Sequence, residues 1–396
     1  MEATDFTKDM PGRLVPTIEG ALAYVPNPLP GAHDLQIDVP TMRLLALADN
    51  ALGELKGATQ QLVNPWLVAS PLLYREAILS SRIEGTIASP DDVIMLEAGE
   101  RPAAQDERRM GDTLEVLNYV RAMRYGLERI GELPLCLRLF RELHSKLLSG
   151  VRGAQERPGE FRRSQNWIGP YKGAPISEAR FVPPPPDRMH EALEELEECL
   201  HAEARREIPL LIELALLHYQ FETIHPFRDG NGRIGRLLIP LILCERNRLP
   251  SPLLYVSSFL DRHKEQYCDL MLKVSQTGDW LSWIRFFLTA VKTCCRESIE
   301  QARGLMELRD SYHQRLQTAR SSALLIKLID QLFSRPSTTI RAAAELLGVT
   351  PAAASNNIRK LVEAGILEKA SSRKRNQVFV ASEIRRFLRD RNESRQ

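Results

Sequence analysis

Apolar side chains recur at helical spacing along most of the chain, and the breaks in that pattern are where chemistry collects. The first run is TMRLLALADNALGELKG from Thr41, with Gly57 placed to end it. A second, PLLYREAILSSRIEG, closes at Gly85. SPDDVIMLEAG opens a third, with Ser89 as N-cap, Pro90 in the first turn, and Asp91 and Asp92 at the positive end of the dipole. The helical period continues over 108–130 and 134–149, resumes at 187–205 and 208–224, and returns over 231–247, 262–276 and 279–301. Residues 1–40 lack it; rich in Pro and Gly, they read as an extended arm. The stretch GVRGAQERPGEFRRSQNWIGPYKGAPISEARFVPPPP also lacks the helical period and can hold a short hairpin of NWIG and RFVP around a Lys172–Glu178 turn. Pro183–Pro186 also suits a stiff linker or a polyproline ligand.

The texture changes again near residue 320. TTIRAAAELLGV reads as a helix turned at Gly348, and TPAAASNNIRKLVEAG as a second, with Thr350 as cap, Pro351 in its first turn and Gly365 beyond its end. ILEKASSRKRNQVFVA then reads as two short strands around a basic turn, an order that resembles a winged helix-turn-helix. Arg359 and Lys360 on the polar face of its second helix, and Arg373, Lys374 and Arg375 in the wing, suit phosphate contacts with DNA. The same domain type also serves as a protein-docking or dimer module.

A chain of 396 residues accommodates roughly two or three domains. A net charge of +2 gives no global nucleic-acid footprint. The six cysteines are irregularly spaced without a C-x-x-C pair, which favours reduced thiols. The start, MEATDFTKDM, is acidic and polar rather than a signal peptide. No stretch approaches the roughly 18 uninterrupted apolar residues of a membrane helix. The expectation is a soluble cytoplasmic protein without a membrane partner.

The densest chemistry lies in HPFRDGNGRIGR, His225 to Arg236, between one apolar helix and the start of another. Gly230-Asn231-Gly232 therefore sits at a helix N-terminus, where backbone N–H groups and the dipole favour anions. Arg233 and Arg236 are neighbours on the first turns, and guanidinium forks suit phosphate oxygens. Asp229 is the lone carboxylate by which Mg²⁺ is often held together with phosphates and water. His225 can accept a proton near neutrality. Each element alone has a plain reading, as a surface turn or an ion pair. No fold requirement groups all of them in one loop.

This segment matches the Fic-domain signature H-x-F-x-[DE]-G-N-G-R-x-x-R at every specified position, and the chain resembles that family. The resemblance implies a mainly α fold: a helical Fic domain with a small β-hairpin flap, plus the C-terminal winged helix. It implies transfer of AMP from ATP to a Ser, Thr or Tyr hydroxyl on a target protein or on the chain itself. His225 would be the general base, Asp229 the Mg²⁺ ligand, and Gly230, Asn231 and Gly232 the anion hole. Arg233 would support the phosphates and Arg236 would hold the γ-phosphate, which argues for a nucleoside triphosphate donor. Phe227 would anchor the loop. GEFR, NWIG and ARFVPPPP resemble the flap region, so a target would dock near 173–183. HKEQYCDLMLKVSQTGDWLSWIRFFL resembles the helix that closes the nucleotide pocket, which gives Tyr267 a place in that pocket or, alternatively, in the core; Cys268 stands where relatives often carry a second tyrosine.

SSRIEG raises a second question. Ser81-x-x-Glu84 has the form of a capping box, but Gly85 follows and the apolar run precedes it, so it reads as a helix end. Ser80, Glu84 and Gly85 match the inhibitory [ST]-x-x-x-E-[GN] motif of Fic proteins. That resemblance implies that Glu84 pairs with Arg236 and displaces the γ-phosphate, with Ser80 fixing the helix. In some relatives the same Glu removes AMP from the target. The expected organisation is 1–105 as arm and inhibitory region, 106–305 as Fic domain and 320–396 as winged helix. The competing function is a DNA-binding regulator whose Fic domain senses nucleotide. A homodimer and DNA are partners this reading allows, besides ATP and the target.

Overall fold

The computed structural model describes all of residues 1–396 except 32–33, 61, 63, 101–106, 152–156, 172, 203–206, 318–322, 371–376 and 390–396. The protein is mainly α-helical, with small antiparallel sheets. In chain order the elements are β1 (Gly12–Pro16), β2 (Leu22–Pro26), α1 (Val39–Gln60), α2 (Trp66–Ile83), α3 (Pro90–Glu97), α4 (Glu107–Arg129), α5 (Leu137–Leu147), α6 (Pro186–His201), α7 (Leu210–Ile224), α8 (Asn231–Glu245), α9 (Ser257–Arg262), α10 (Lys264–Thr277) and α11 (Trp280–Gln317). The C-terminal part adds α12 (Ala323–Ser334), β3 (Ser337–Thr339), α13 (Ile340–Leu347), α14 (Pro351–Glu363), β4 (Glu368–Lys369), β5 (Val378–Val380) and α15 (Ser382–Leu388). Two compact units result: Met1–Gly53 with Arg121–Arg248 and Leu254–Cys295, and Glu54–Val120 with Leu249–Leu253 and Arg296–Gln396. Among the described residues no helix is long and apolar enough to cross a membrane.

The first unit is built around α7, which is buried along almost its whole length. A helix apolar on all sides needs cover on all sides, and α6, α8 and β2 pack on it. Trp283 of α11 is wholly buried and its indole Nε1 donates to Ala215 O at 2.8 Å. Residues 1–40 are not an extended arm throughout. β1 and β2 pair antiparallel from Gly12↔Pro26 to Pro16↔Leu22, around a turn in which Gly20 adopts φ +80. Ala23, Tyr24 and Val25 are buried, and Tyr24 N–H donates to Val182 O at 2.9 Å. This long-range burial, worth about 2 kcal/mol per large apolar side chain, turns a proline-rich segment into structure.

The second unit centres on α2, against which α12 and α15 pack. Its winged helix has sheet order β3-β5-β4, all antiparallel, with α13 and α14 as the helix pair. Thr339 and Thr350 cap these helices by accepting from Ala342 and Ala353 N–H, and Gly348 and Gly365 close them at positive φ. Arg389 donates to Asp91 Oδ2 at 2.6 Å, Arg385 lies 3.6 Å from Asp91, and Ser337 Oγ donates to Ile94 O at 3.3 Å. These bonds fasten the winged helix to α3. The Ser89 cap forms as predicted, reciprocated by Asp92.

Other expectations need correction. Gly57 does not end α1, which continues to Gln60 while the Thr59 hydroxyl bonds back to Leu55 O at 2.8 Å. A glycine inside a helix costs only about 1 kcal/mol, which burial of Leu55 and Thr59 offsets. α11 runs past 301 to Gln317, and α9, α12 and β3 are further elements that the sequence reading did not single out.

Candidate active site

α7 ends at His225, which takes a left-handed conformation, φ 49 and ψ 58. For a side chain with a Cβ this is uncommon and must be held by its surroundings. His225 Nδ1 lies 3.2 Å from Glu222 O. A carbonyl only accepts, so Nδ1 carries the proton and the basic lone pair of the neutral ring is on Nε2. The loop backbone is fixed by Arg162. Its N–H donates to Pro226 O at 2.9 Å, and its Nε donates to His225 O at 3.0 Å. The rest of the guanidinium donates to Ser164 O, Pro184 O and Ile224 O. Burial pulls this guanidinium down to about 9, and carbonyl dipoles take the place of water around it. Asn166 Nδ2 reaches Phe227 O at 3.0 Å.

Phe227 is wholly buried, as its place in the motif predicted. Its ring lies flat on that of His144, centroids 3.8 Å apart and planes within 6°. The Asn231 side chain grips the Phe227 backbone at both ends, Oδ1 accepting from N–H and Nδ2 donating to O, each at 2.8 Å. The Asn231 side-chain amide is thus spent on bracing, and what it can offer an anion is its backbone N–H. Gly230 sits at φ +82 as the N-cap of α8, a conformation that favours glycine. Its N–H donates to Asp229 Oδ1 at 2.6 Å, and Arg233 Nη2 donates to the same oxygen at 3.3 Å. The first N–H groups of α8 have no acceptor within the helix. Arg233 and Arg236 are both buried there. Two guanidiniums beside the positive end of a helix dipole make a site that an anion stabilises. Below them, burial first and the Arg236 charge second hold His218 at about 3, so its imidazole is neutral.

Tyr267 lies in the core, its hydroxyl 2.9 Å from His218 Nε2 and its ring beside Trp283. The neighbouring cleft is mainly apolar. It is lined by Ile168, Arg180 and Phe181 of the flap, Glu222 and Thr223 of α7, and Cys268, Met271, Leu272 and Ser275 of α10. The two flap segments meet in a single antiparallel bridge, Ile168↔Phe181, rather than in long strands. Trp167, Ile168 and Tyr171 are exposed. Arg180 pairs with Asp269 of α10. Pro183 and Pro184 are buried, and their carbonyls accept from Gln165 and Arg162. They are therefore not a free polyproline ligand, and Pro186 begins α6.

Gly235 is a glycine for a steric reason, since a Cβ there would stand 2.2 Å from Glu222 Oε1. Gly235→Ala is expected to destabilise the unit by about 1–3 kcal/mol through overpacking, read as a lower melting temperature. An unchanged melting temperature would mean that Glu222 moves aside freely.

In the second unit, α2 stops as predicted. Gly85 takes φ +89, its N–H donates to Arg82 O at 2.9 Å, and Thr86 N–H donates to Ser81 O at 3.2 Å. This pair of bonds is a Schellman closure, a helix end and not a capping box. Ser80 is wholly buried, while Glu84 and Gly85 are exposed. On α14, Ser355, Asn356 and Arg359 are exposed, Lys360 is half-buried, and Arg359 Nη2 donates to Asn356 Oδ1 at 2.5 Å. Arg373, Lys374, Arg375 and part of the flap turn, Lys172, lie outside the described residues.

Sequence reasoning did not single out His144, Arg162 or Asn166 for these roles. The signal for His144 is a lone histidine on the apolar face of α5, among Leu139, Phe140, Leu143 and Leu147. Burial holds its imidazole down at about 4.

Residues 42–128 match the family model for the Fic/DOC family N-terminal region, 134–243 that for the Fic/DOC family, and 322–368 that for winged helix-turn-helix DNA-binding. Over 188 residues, 47% of this chain and 35% of the relative, the sequence is 30% identical to protein adenylyltransferase Fic of Drosophila grimshawi. The chain thus spans about a third of the length of the curated relatives it matches. The fold is similar to a solved Fic family protein from Desulfovibrio desulfuricans, at 21% identity and TM-score 0.56, covering 87% of this chain and 97% of that one. It is also similar to a Fic domain-containing signaling protein from Bacteroides thetaiotaomicron, at 22% identity and TM-score 0.51, covering 66% and 97%.

Proposed function

Because the chain carries a Fic/DOC family domain over 134–243, behind a Fic N-terminal region and ahead of a winged helix-turn-helix, we propose that it is an auto-inhibited protein AMP-transferase. The observation that carries this reading is the placement of a histidine with its lone pair on Nε2 beside a helix N-terminus that bears two buried arginines and one carboxylate. His225 Nε2 takes the proton of a Ser, Thr or Tyr hydroxyl, whose oxygen attacks the α-phosphorus of ATP. The bond to the bridging oxygen breaks and pyrophosphate leaves. Catalysis is positioning and charge stabilisation by the turn and by Arg233 and Arg236.

Mg²⁺ fits this site. Among the described residues no group of three or more His, Cys, Asp or Glu could cage a metal. The single carboxylate of Asp229 suits an ion that arrives with phosphates and water. Asp229 would hold it, and the ion would neutralise phosphate charge.

Restraint comes from Glu84. The match of Ser80, Glu84 and Gly85 to the inhibitory motif supports this: a Glu84 carboxylate that paired with Arg236 would deny that guanidinium to the γ-phosphate, while Ser80, buried in α2, would steady the helix. The same carboxylate can direct a water at AMP on the target, reversing the modification. The exposed apolar side chains of the flap, Trp167, Ile168 and Tyr171, favour docking of an extended target segment there. The test is label from α-labelled ATP with Mg²⁺, comparing the native protein with Glu84→Gly and with Glu84→Gly/His225→Ala.

A second reading, a DNA-binding regulator that senses nucleotide, is favoured by the exposed Ser355, Asn356 and Arg359 of α14. Because α14 packs on α13, α13 on α12, and α12 on α2, DNA on α14 would have a mechanical route, through two helices, to the inhibitory helix. Arg359→Ala is expected to weaken DNA binding and to lower the slope of log K against log salt by about 1, measured by titration at several salt concentrations. A protein that binds no duplex at low salt removes this reading.

A further inference from the structure

We propose that His144 is a positioning residue for the transfer reaction: from α5 it fixes the Asp229–Gly230 peptide and so aims the Gly230 N–H that holds the Asp229 carboxylate. The inference rests on the reading of residues 225–236 given above. Gly159 N–H lies 2.9 Å from His144 Nδ1, and an N–H only donates, so Nδ1 is the acceptor. Nε2 lies 3.0 Å from Asp229 O, which only accepts, so Nε2 carries the proton. The two partners together select one neutral tautomer. The ring's face is used as well, stacked on Phe227.

What this achieves follows from peptide planarity. The Asp229 carbonyl and the Gly230 N–H belong to one plane and point in opposite directions. Holding the oxygen against α5 therefore sets the direction of the Gly230 N–H, which points to Asp229 Oδ1 at 2.6 Å. Gly230 itself, at φ +82, has no side chain to steady it. The other end of the imidazole works on the flap side. Gly159, at φ +84, comes so close to α5 that a Cβ would stand 3.1 Å from Arg141 O. The turn it forms leads to Arg162, whose guanidinium holds His225 O. One buried ring thus ties the segment that places the base to the segment that receives phosphate. Packing alone would need the ring's volume and face, but neither of its nitrogens.

The test separates those cases. In the Glu84→Gly protein, His144→Phe keeps the stack and the volume and removes both hydrogen bonds, whereas His144→Gln can still donate to Asp229 O. Initial rates of label transfer from α-labelled ATP give kcat and KM for each, and melting temperatures are measured alongside. His144→Phe is expected to lower kcat by about tenfold to a hundredfold, the cost of a misplaced reacting group, with KM for ATP changing far less. His144→Gln is expected to recover most of that loss. In parallel, a long-range nitrogen–proton NMR correlation reads the His144 tautomer, and the Gly230 amide resonance reports the peptide in all three proteins. The proposal fails if Gln and Phe are equally impaired, if kcat and KM move together with stability, or if the proton sits on Nδ1. If Glu84→Gly itself transfers no label, the transferase reading fails and the proposal with it. A Gly230 resonance still displaced by Phe and restored by Gln would then locate the failure in the chemistry rather than in the hydrogen bond.

Discussion

His225→Ala, made in the Glu84→Gly protein, is expected to lower transfer of AMP by about 10²–10⁴-fold, the usual contribution of a positioned general base. The fold should survive, because the backbone of His225, not its ring, is what Arg162 and Asn166 hold. Its left-handed conformation is retained at some cost with alanine, so the melting temperature should fall slightly rather than collapse. ATP binding should remain, since the donors proposed for phosphate lie beyond the loop on α8 and in Arg233 and Arg236. Calorimetric titration with ATP and initial-rate labelling separate the two effects. Transfer that persists within about tenfold of the parent would remove His225 as the base.

The release of restraint is the second large effect. Glu84→Gly is expected to raise labelling over the native protein by about 5- to 150-fold, the range of a coupling worth 1–3 kcal/mol. In the proposed restraint a carboxylate that pairs with Arg236 would compete with the γ-phosphate for one guanidinium, so its removal should also tighten or reorient ATP. Glycine at this position ends α2 without a side chain, and the closure through Gly85 and Thr86 uses only backbone atoms and the Thr86 hydroxyl. The helix should therefore stop where it does now. Comparing Glu84→Gly with Glu84→Gln tests the electrostatic account, because glutamine keeps the shape and loses the charge. If neither variant gains activity, the SSRIEG segment is not the brake, and the competing regulator gains weight.

Much of this was legible along the chain. The Ser89 and Thr350 caps, the proline first turns after them, and the positive-φ glycines at 85, 348 and 365 all appear as predicted. Each is a local event, settled within one helical turn by side chains that satisfy orphan backbone groups. The winged helix was readable for the same reason. The motif's composition also marked where to look for chemistry, because nothing in a helix start requires a histidine, a carboxylate and two arginines together. The β1–β2 hairpin was not legible, since its stability comes from Tyr24 meeting Phe6 and Phe181 far along the sequence. Nor did spacing place Tyr267, whose hydroxyl goes to His218 in the core.

The sequence by itself determined which residues gather between α7 and α8, and where the helices bearing them begin and end. Tertiary structure alone decided how those residues are held: which nitrogen of His225 carries its proton, that the Asn231 amide braces Phe227, and that Arg162 and His144 fix the loop from separate elements. His144 and Asp229 lie 85 positions apart, beyond the reach of any local rule. Burial sets their chemistry, because a polar group removed from water must find its partner wherever the fold has brought one.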